Sequence, residues 1–224
     1  FPFEVVKVKL SGLWVSGSPC LALEADWGYC AAQKLFDEKS IIRREDFHLV
    51  WWEGLGATMN RYPKMYRVWL TKHVSEFSGN NVQLYYWSRG YHSPKCEFCK
   101  VEDEYTVHIC RCLDPGRDHV FRASVAELRA WLVETLDDQC TASTVEAYLL
   151  SRGSATMCGC MHGGNSALLA AATTSDCLGW DSFIEGRISD QWLTLAAPFL
   201  QRRSALLLPK FWGQKFITKL HSVV

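Results

Sequence analysis

The stretch CEFCKVEDEYTVHICRC, from Cys96 to Cys112, decides how the rest of the chain is interpreted. Cys96 and Cys99 are separated by two residues, so both sulfurs can face inward from one tight turn. His108 and Cys112 are four positions apart and would share one face of a helix. Four such side chains can close a tetrahedron around a metal ion and leave no position for water. The pattern therefore predicts a structural zinc site, with the ligands Cys96, Cys99, His108 and Cys112.

Other cysteines lie near this motif and farther along the chain. Cys110 is two residues from both His108 and Cys112 and would point away from the ligand face of a helix, so we exclude it. Buried free thiols are the alternative explanation for the whole motif. A second group of possible metal ligands has irregular spacing, which is more typical of a mobile loop than of one half of another metal site. Its role stays open, and its members are Cys158, Cys160, His162 and Cys177.

Length and composition predict a globular chain. The 224 residues are 48% hydrophobic, enough for one substantial core or two small ones. Basic and acidic residues number 24 each, so any nucleic-acid binding must come from local patches. No apolar run reaches the roughly 20 residues of a membrane span, and we expect no membrane partner. A reducing, intracellular location in the nucleus or cytoplasm is favoured, where the ten cysteines would be thiols and metal ligands.

The periodicity of apolar residues predicts a mainly α fold with a small N-terminal β-hairpin. We expect a helical bundle organised around a small CCHC-type zinc site. Alternation between Phe3 and Ser16, with Ser11-Gly12 as the turn, predicts the hairpin. Residues 1–119 are expected to hold the hairpin, helices and the zinc-binding module. Residues 120–224 would form a helical C-terminal subdomain with a basic tail.

Start signals in the sequence predict where several helices begin. Pro63 is suited to begin a helix from Lys64 to Phe77. Capping boxes at Ser124–Glu127 and Ser143–Glu146 predict the starts of two later helices. The helix after Pro63 is predicted to bury one apolar stripe, made of Met65, Trp69, His73 and Phe77.

Positive charge gathers around the predicted zinc site and in the tail. Residues 201–224 carry five basic side chains and no acidic one. These cations could bind phosphates, although a solvated basic face is the alternative. The Tyr and Trp residues beside Arg89 could stack on bases or could simply pack against the metal site. The candidate nucleic-acid-binding residues are Arg67, Lys72, Arg89, Lys95, Arg117, Lys210, Lys215 and Lys219.

Catalytic motifs are missing from the sequence. It contains no Gly-rich phosphate loop, no Gly-x-Ser-x-Gly and no His-Glu-x-x-His. Asp137-Asp138 is more typical of a helix end than of a magnesium site. We therefore predict that the chain is not an enzyme and assign no catalytic residue; an unrecognised hydrolase using Cys or His is the alternative.

The order of features from Asp46 to Cys112 resembles the zinc-binding domain at the end of reverse-transcriptase polyproteins of non-LTR retrotransposons. In that family an aromatic, basic helix after Pro-Lys leads to Cys-x-x-Cys, an acidic segment with Thr, and then His and Cys. Here the helix is Pro63–Trp69, and the acidic segment 102–104 precedes Thr106. The residues of these segments resemble a branch of such sequences found in protist retroelements. The family commonly places one residue more before its last Cys than the three found here.

This resemblance implies a non-catalytic accessory module that binds zinc. It would help the polymerase hold template RNA or target DNA, and its partners would be that nucleic acid and the rest of a reverse-transcriptase polyprotein. The alternative is a zinc-stabilised protein-protein interaction scaffold, favoured by the zero net charge and the ten tryptophans.

Overall fold

The described part of the chain is mainly helical, which confirms that prediction. The computed structural model describes residues 9–10, 13–14, 19–74, 79–202 and 208–224. None of the described helices is both long and apolar enough to cross a membrane. The helices are α1 (Pro19–Glu38), α2 (Trp52–Met59), α3 (Lys64–Val74), α4 (Asn81–Trp87), α5 (His108–Arg111), α6 (Pro115–Leu136), α7 (Gln139–Leu150), α8 (Ser166–Leu178), α9 (Trp180–Ile184), α10 (Gln191–Arg202) and α11 (Pro209–His221).

The predicted N-terminal hairpin lies mostly outside the described residues. Two short strands, β1 (Lys9–Leu10) and β2 (Leu13–Trp14), pair in an antiparallel manner, with Leu10 opposite Leu13. The rest of the stretch from Phe3 to Ser16 is not among the described residues. The hairpin as a whole therefore stays a prediction.

The chain divides into two compact units, Phe1–Phe47 and His48–Val224. In the first unit the buried rings of Phe36 and Phe47 meet edge to face, with their centroids 5.8 Å apart. The second unit contains α2 to α11 and all four predicted zinc ligands. The predicted boundary between residues 119 and 120 lies within α6, and the division at that point stays a prediction.

Aromatic side chains form the centre of the second unit. Trp192, Trp212 and Phe216 are fully buried, and the rings of Trp212 and Phe216 stack with their centroids 5.2 Å apart. A buried indole N–H without an acceptor would be costly. Trp212 Nε1 donates to Thr135 Oγ1 at 3.2 Å, and Trp192 Nε1 donates to Ser175 Oγ at 3.1 Å. Helix α11, from the basic tail, thus supplies part of the core.

Helix α3 buries only part of the predicted stripe. His73 is buried, as predicted, whereas Met65 and Trp69 of the same stripe are 79% and 41% exposed. The prediction is therefore confirmed for His73 and wrong for Met65 and Trp69; Leu70, three positions before His73, is the buried residue that it leaves out. Phe77, its last member, lies outside the described residues.

Helices α6 and α7 both begin earlier than the capping boxes predict. The carboxylates of Asp114 and Asp138 each accept a backbone hydrogen bond at 3.0 Å in the first turn of the helix that follows. These aspartates are the N-caps. The predicted starts at Ser124 and Ser143 lie inside the two helices.

Candidate metal centre

A tight turn presents the first two candidate ligands. The backbone N–H of Lys100 donates to the carbonyl of Cys96 at 2.9 Å, and the N–H of Cys96 donates to the carbonyl of Glu102 at 2.9 Å. Lys100 adopts a left-handed backbone conformation, with φ of 57°, directly after Cys99. This conformation lets the chain reverse at once, so both thiols stay on the inner side of the turn.

The short helix α5 presents the other two ligands. The N–H of Cys112 donates to the carbonyl of His108 at 2.7 Å, so one helical turn separates these side chains. Cys110 lies instead among the buried residues of the hydrophobic core. Burial raises the pKa of the Cys110 thiol to about 12, and the residue is not part of the ligand group.

The four predicted ligands converge on one point. One ligand atom from each residue lies within 4.8 Å of all the others. The sulfurs of Cys96 and Cys112 are 3.9 Å apart, and Cys99 Sγ lies 3.5 Å from His108 Nε2. Metal–sulfur bonds of about 2.3 Å in a tetrahedron put the sulfurs about 3.8 Å apart. The four residues therefore fit, and could hold, one tetrahedrally bound metal ion.

Glu102 holds the imidazole of His108 from the other side. His108 Nδ1 and Glu102 Oε2 are 3.0 Å apart, while His108 Nε2 faces Cys99. A carboxylate on the second ring nitrogen favours an Nδ1–H tautomer and leaves Nε2 free to bind a metal. The sequence motif places Glu102 in the acidic segment but predicts no role for it at the metal site. The signal that could have found it is an acidic side chain in the loop between the two pairs of ligands.

The two thiols of the turn differ in their environments. Burial raises the pKa of Cys96 to about 11. The backbone N–H groups of Glu102 and Val101 donate to the Cys99 sulfur and lower its pKa to about 6. Amides that point at a sulfur stabilise a thiolate, which is the form that binds metals.

Neighbouring side chains fix the turn in place. Lys95 and Asp103 close it as an antiparallel bridge, and Lys95 Nζ lies 2.9 Å from Asp103 Oδ1. The side chain of Asn81, the first residue of α4, donates to the carbonyl of Lys95 at 2.9 Å. On the α6 side, the Arg117 guanidinium lies 4.0 Å from the centroid of the Phe98 ring. The site is thus supported by the helices before and after it.

The predicted nucleic-acid-binding cations lie on several elements of the second unit. They are found on α3, α6, α11 and the connection between α4 and α5. Arg89 and Lys215 are exposed and have no ion-pair partner among the described residues, and Lys72 is exposed on α3. Arg67 and Lys219 are half-buried. Three cations are paired with carboxylates: Lys95 with Asp103 at 2.9 Å, Arg117 with Glu104 at 3.3 Å and Lys210 with Glu53 at 3.2 Å.

The second group of cysteines is arranged differently. Within the described residues, the Cys96, Cys99, His108 and Cys112 group is the only one suited to a metal ion. Cys158, Cys160, His162 and Cys177 therefore do not form one. The backbone N–H of Cys158 donates to the Asp176 carboxylate at 3.0 Å, which anchors this loop to α8.

Comparisons of the chain with protein-family models, curated proteins and solved structures found no match. The likeness to retrotransposon zinc-binding domains is therefore carried by the order of sequence motifs alone.

Proposed function

We propose that this chain is a zinc-stabilised, non-catalytic accessory module of a retrotransposon reverse-transcriptase polyprotein, and that it binds template RNA or target DNA. The observation that carries the proposal is the convergence of Cys96, Cys99, His108 and Cys112 in the order that such domains use. Its setting is inside the cell, in the nucleus or cytoplasm. There the thiols remain reduced, in keeping with the free state of the nine cysteines whose side chains the structure describes.

Zinc is the ion that fits this donor set best. Three sulfurs and one imidazole nitrogen in a tetrahedron are typical of structural zinc sites, and protein side chains occupy every position. When bound, the ion would fix the turn around Cys96 to helix α5. A site without an open position does not activate water, which supports a structural and non-catalytic role.

The metal assignment is tested by zinc content. The purified chain should contain one zinc ion per molecule, and Cys112→Ala should lose it. Cys110→Ala is the matched control, because Cys110 neighbours the ligands but lies in the core. It should retain one zinc ion. Equal zinc content in both variants would contradict the ligand assignment.

Nucleic-acid binding is supported by exposed cations near the metal site and on α3 and α11, including Arg89, Lys72 and Lys215. The test is the binding of fluorescent RNA and DNA oligonucleotides at several salt concentrations. Because cations that bind phosphates release counterions, the affinity should fall steeply as salt rises. Neutralising these three residues should reduce that salt dependence. No detectable binding at low salt would overturn the proposal.

A protein-interaction scaffold is the second candidate, and the exposed face of α3 favours it. Met65, Val68 and Trp69 are 79%, 42% and 41% exposed. Neighbouring apolar side chains of this kind often mark a protein interface. If this candidate is correct, substituting Met65 and Trp69 with Ser should abolish binding to other segments of the polyprotein and leave nucleic-acid affinity unchanged.

A further inference from the structure

The end of helix α4 carries an unusual concentration of exposed aromatic rings. Tyr85, Tyr86, Trp87 and Tyr91 are 38%, 66%, 62% and 93% exposed. We call these four residues and Arg89 the aromatic turn. Large aromatic side chains usually bury most of their surface, so a cluster of exposed ones points to an interaction site.

The backbone of the aromatic turn is held by hydrogen bonds. The N–H of Gly90 donates to the carbonyl of Tyr85 at 2.9 Å, and the N–H of Arg89 donates to the carbonyl of Tyr86 at 3.3 Å. This pairing is the Schellman motif, which ends a helix. The N–H of Tyr91 also donates to the carbonyl of Ser88 at 3.3 Å. The rings are therefore presented by an ordered backbone.

Arg89 occupies the position in this motif where glycine is favoured. Its φ is 53°, a left-handed conformation that costs most residues with a Cβ about 1 kcal/mol or more. Arg152, another arginine in this conformation, has a visible structural role because its guanidinium donates to the carbonyl of Cys112. Arg89 is exposed and has no ion-pair partner in the described part of the chain. Its charge is thus available to a ligand.

The local charge favours an anionic partner. From Gly79 to Lys95 the sequence contains no acidic residue. Lys95 pairs with Asp103, so Arg89 is the cation of this stretch without an ion-pair partner in the described part of the chain. Aromatic and Arg side chains also occur at protein interfaces. Stacking platforms beside an unpaired cation are the combination that single-stranded nucleic acids require, since each nucleotide has a flat base and a phosphate.

We propose that the aromatic turn binds single-stranded nucleic acid. Bases stack on Tyr86, Trp87 and Tyr91, and the Arg89 guanidinium binds a neighbouring phosphate. A duplex hides its base faces within its own stack and does not fit this surface. The inference rests on the proposed function and adds to it the strandedness of the nucleic acid and the residues that contact it.

The first test uses the zinc-loaded full chain and fluorescence anisotropy. The probes are labelled oligo-dT and oligo-U, and a duplex of equal length. Since stacking on one aromatic side chain contributes a factor of about five to one hundred, Trp87→Ala should weaken binding to both single strands by at least about fivefold. Leu169→Ala, at a half-exposed apolar side chain on α8, which carries none of the proposed cations, is the control and should stay within about twofold of the parent. The ratio between the dT and U affinities shows which sugar is preferred.

The second variant separates binding from folding. Arg89→Gly places the favoured residue in the left-handed position, so the chain should unfold at a higher temperature. It should nevertheless bind the single strands about threefold to tenfold more weakly. A loss of affinity in a more stable protein cannot be attributed to misfolding.

Three outcomes would count against the inference in different ways. If the parent binds the probes but Trp87→Ala and Arg89→Gly bind equally well, the aromatic turn faces another partner, such as a protein, and the inference is overturned. If Trp87→Ala weakens duplex binding as much as single-strand binding, the preference for single strands is wrong. Failure of the parent to bind any probe at low salt would instead overturn the proposed function itself.

Discussion

The guanidinium group of Arg152 donates a hydrogen bond to the backbone carbonyl of Cys112 at 2.7 Å. It also donates to the carbonyl of Cys110 at 3.0 Å and lies 2.6 Å from the Asp118 carboxylate. The last carbonyl groups of a helix lack partners within the helix. One side chain after α7 therefore satisfies the end of α5 and holds the last metal ligand against α6.

Replacing Arg152 with Ala should destabilise the zinc-loaded chain by about 2–3 kcal/mol, because carbonyls and a carboxylate in a partly buried site lose their donor. Urea unfolding at pH 7 measures this change. Arg129→Ala is the control, since Arg129 pairs with Glu146 between α6 and α7 in a more exposed position. Its expected cost is about 0.5 kcal/mol. Equal effects of the two substitutions would contradict a special role for Arg152.

Glu102→Gln should lower zinc affinity about tenfold while leaving all four ligands in place. The carboxylate orients His108 through Nδ1 and makes Nε2 a better donor to the metal, and an uncharged amide does this less well. Competition with a chromophoric chelator measures the affinity. Glu97→Gln is the control, because Glu97 lies in the same turn but outside the ligand group. An unchanged affinity in Glu102→Gln would show that Glu102 does not orient His108.

The ligand set could be predicted because it depends on local spacing. Two residues between Cys96 and Cys99, and one helical turn between His108 and Cys112, fix most of the geometry before the fold is known. Arg152 could not be found in this way, since it reaches Cys112 from 40 positions later in the sequence. Long-range contacts of this kind depend on how the helices pack.

The errors in the helices have local causes. A period of 3.6 residues identifies a helix but does not decide between neighbouring faces, so the predicted stripe includes the exposed Trp69 and leaves out the buried Leu70. The start of α6 was missed because Asp114-Pro115-Gly116 is typical both of a turn and of an N-cap followed by Pro at the first helical position.

A buried polar cluster makes stability depend on pH. His73, Glu185, Arg187 and His221 are almost fully buried. His221 Nδ1 is 3.0 Å from Tyr62 Oη, and its Nε2 is 2.9 Å from the carbonyl of Glu185. Arg187 pairs with the Glu185 carboxylate, which also lies 3.8 Å from His73 Nε2. Burial, with the Arg187 charge adding to it, lowers the pKa of both histidines to about 4.

Acidification should therefore destabilise the chain. A histidine with a pKa near 6.5 in the unfolded chain and about 4 in the folded one binds a proton more readily when unfolded. The stabilisation is complete above pH 6.5 and is lost as the pH falls to 4, by about 3 kcal/mol for each histidine. The measurement is the free energy of unfolding of the zinc-loaded chain across this range.

Comparing the parent with a His73 variant separates protonation of the buried histidine from the release of the metal at low pH, because the metal is released from both proteins. His73→Gln should reduce the pH slope of the unfolding free energy by about one proton between pH 6.5 and 4. His119→Gln, at an exposed histidine, should leave the slope as in the parent. An unchanged slope in His73→Gln would mean that His73 is accessible to protons in the folded chain.

Gly186 is a position where an added methyl group should be damaging for two separate reasons. Its φ is 77°, and a Cβ atom there would lie 2.5 Å from His221 Nε2 and 2.9 Å from Ile217 Cγ2. Gly186→Ala should lower the free energy of unfolding by about 2–4 kcal/mol, the sum of a backbone cost and an overpacking cost. Urea unfolding measures it.

Gly90→Ala separates the two costs. Gly90 has a similar φ of 91°, but the nearest atom to an added Cβ is 3.6 Å away, on the Tyr85 ring. That variant should lose only the backbone part, about 1–2 kcal/mol. The difference between the losses of the two variants gives the free energy needed to move His221 away from the Glu185 carbonyl. If both variants lose the same free energy of unfolding, α11 shifts at this contact without measurable cost, and the buried cluster is less rigid than its hydrogen bonds imply.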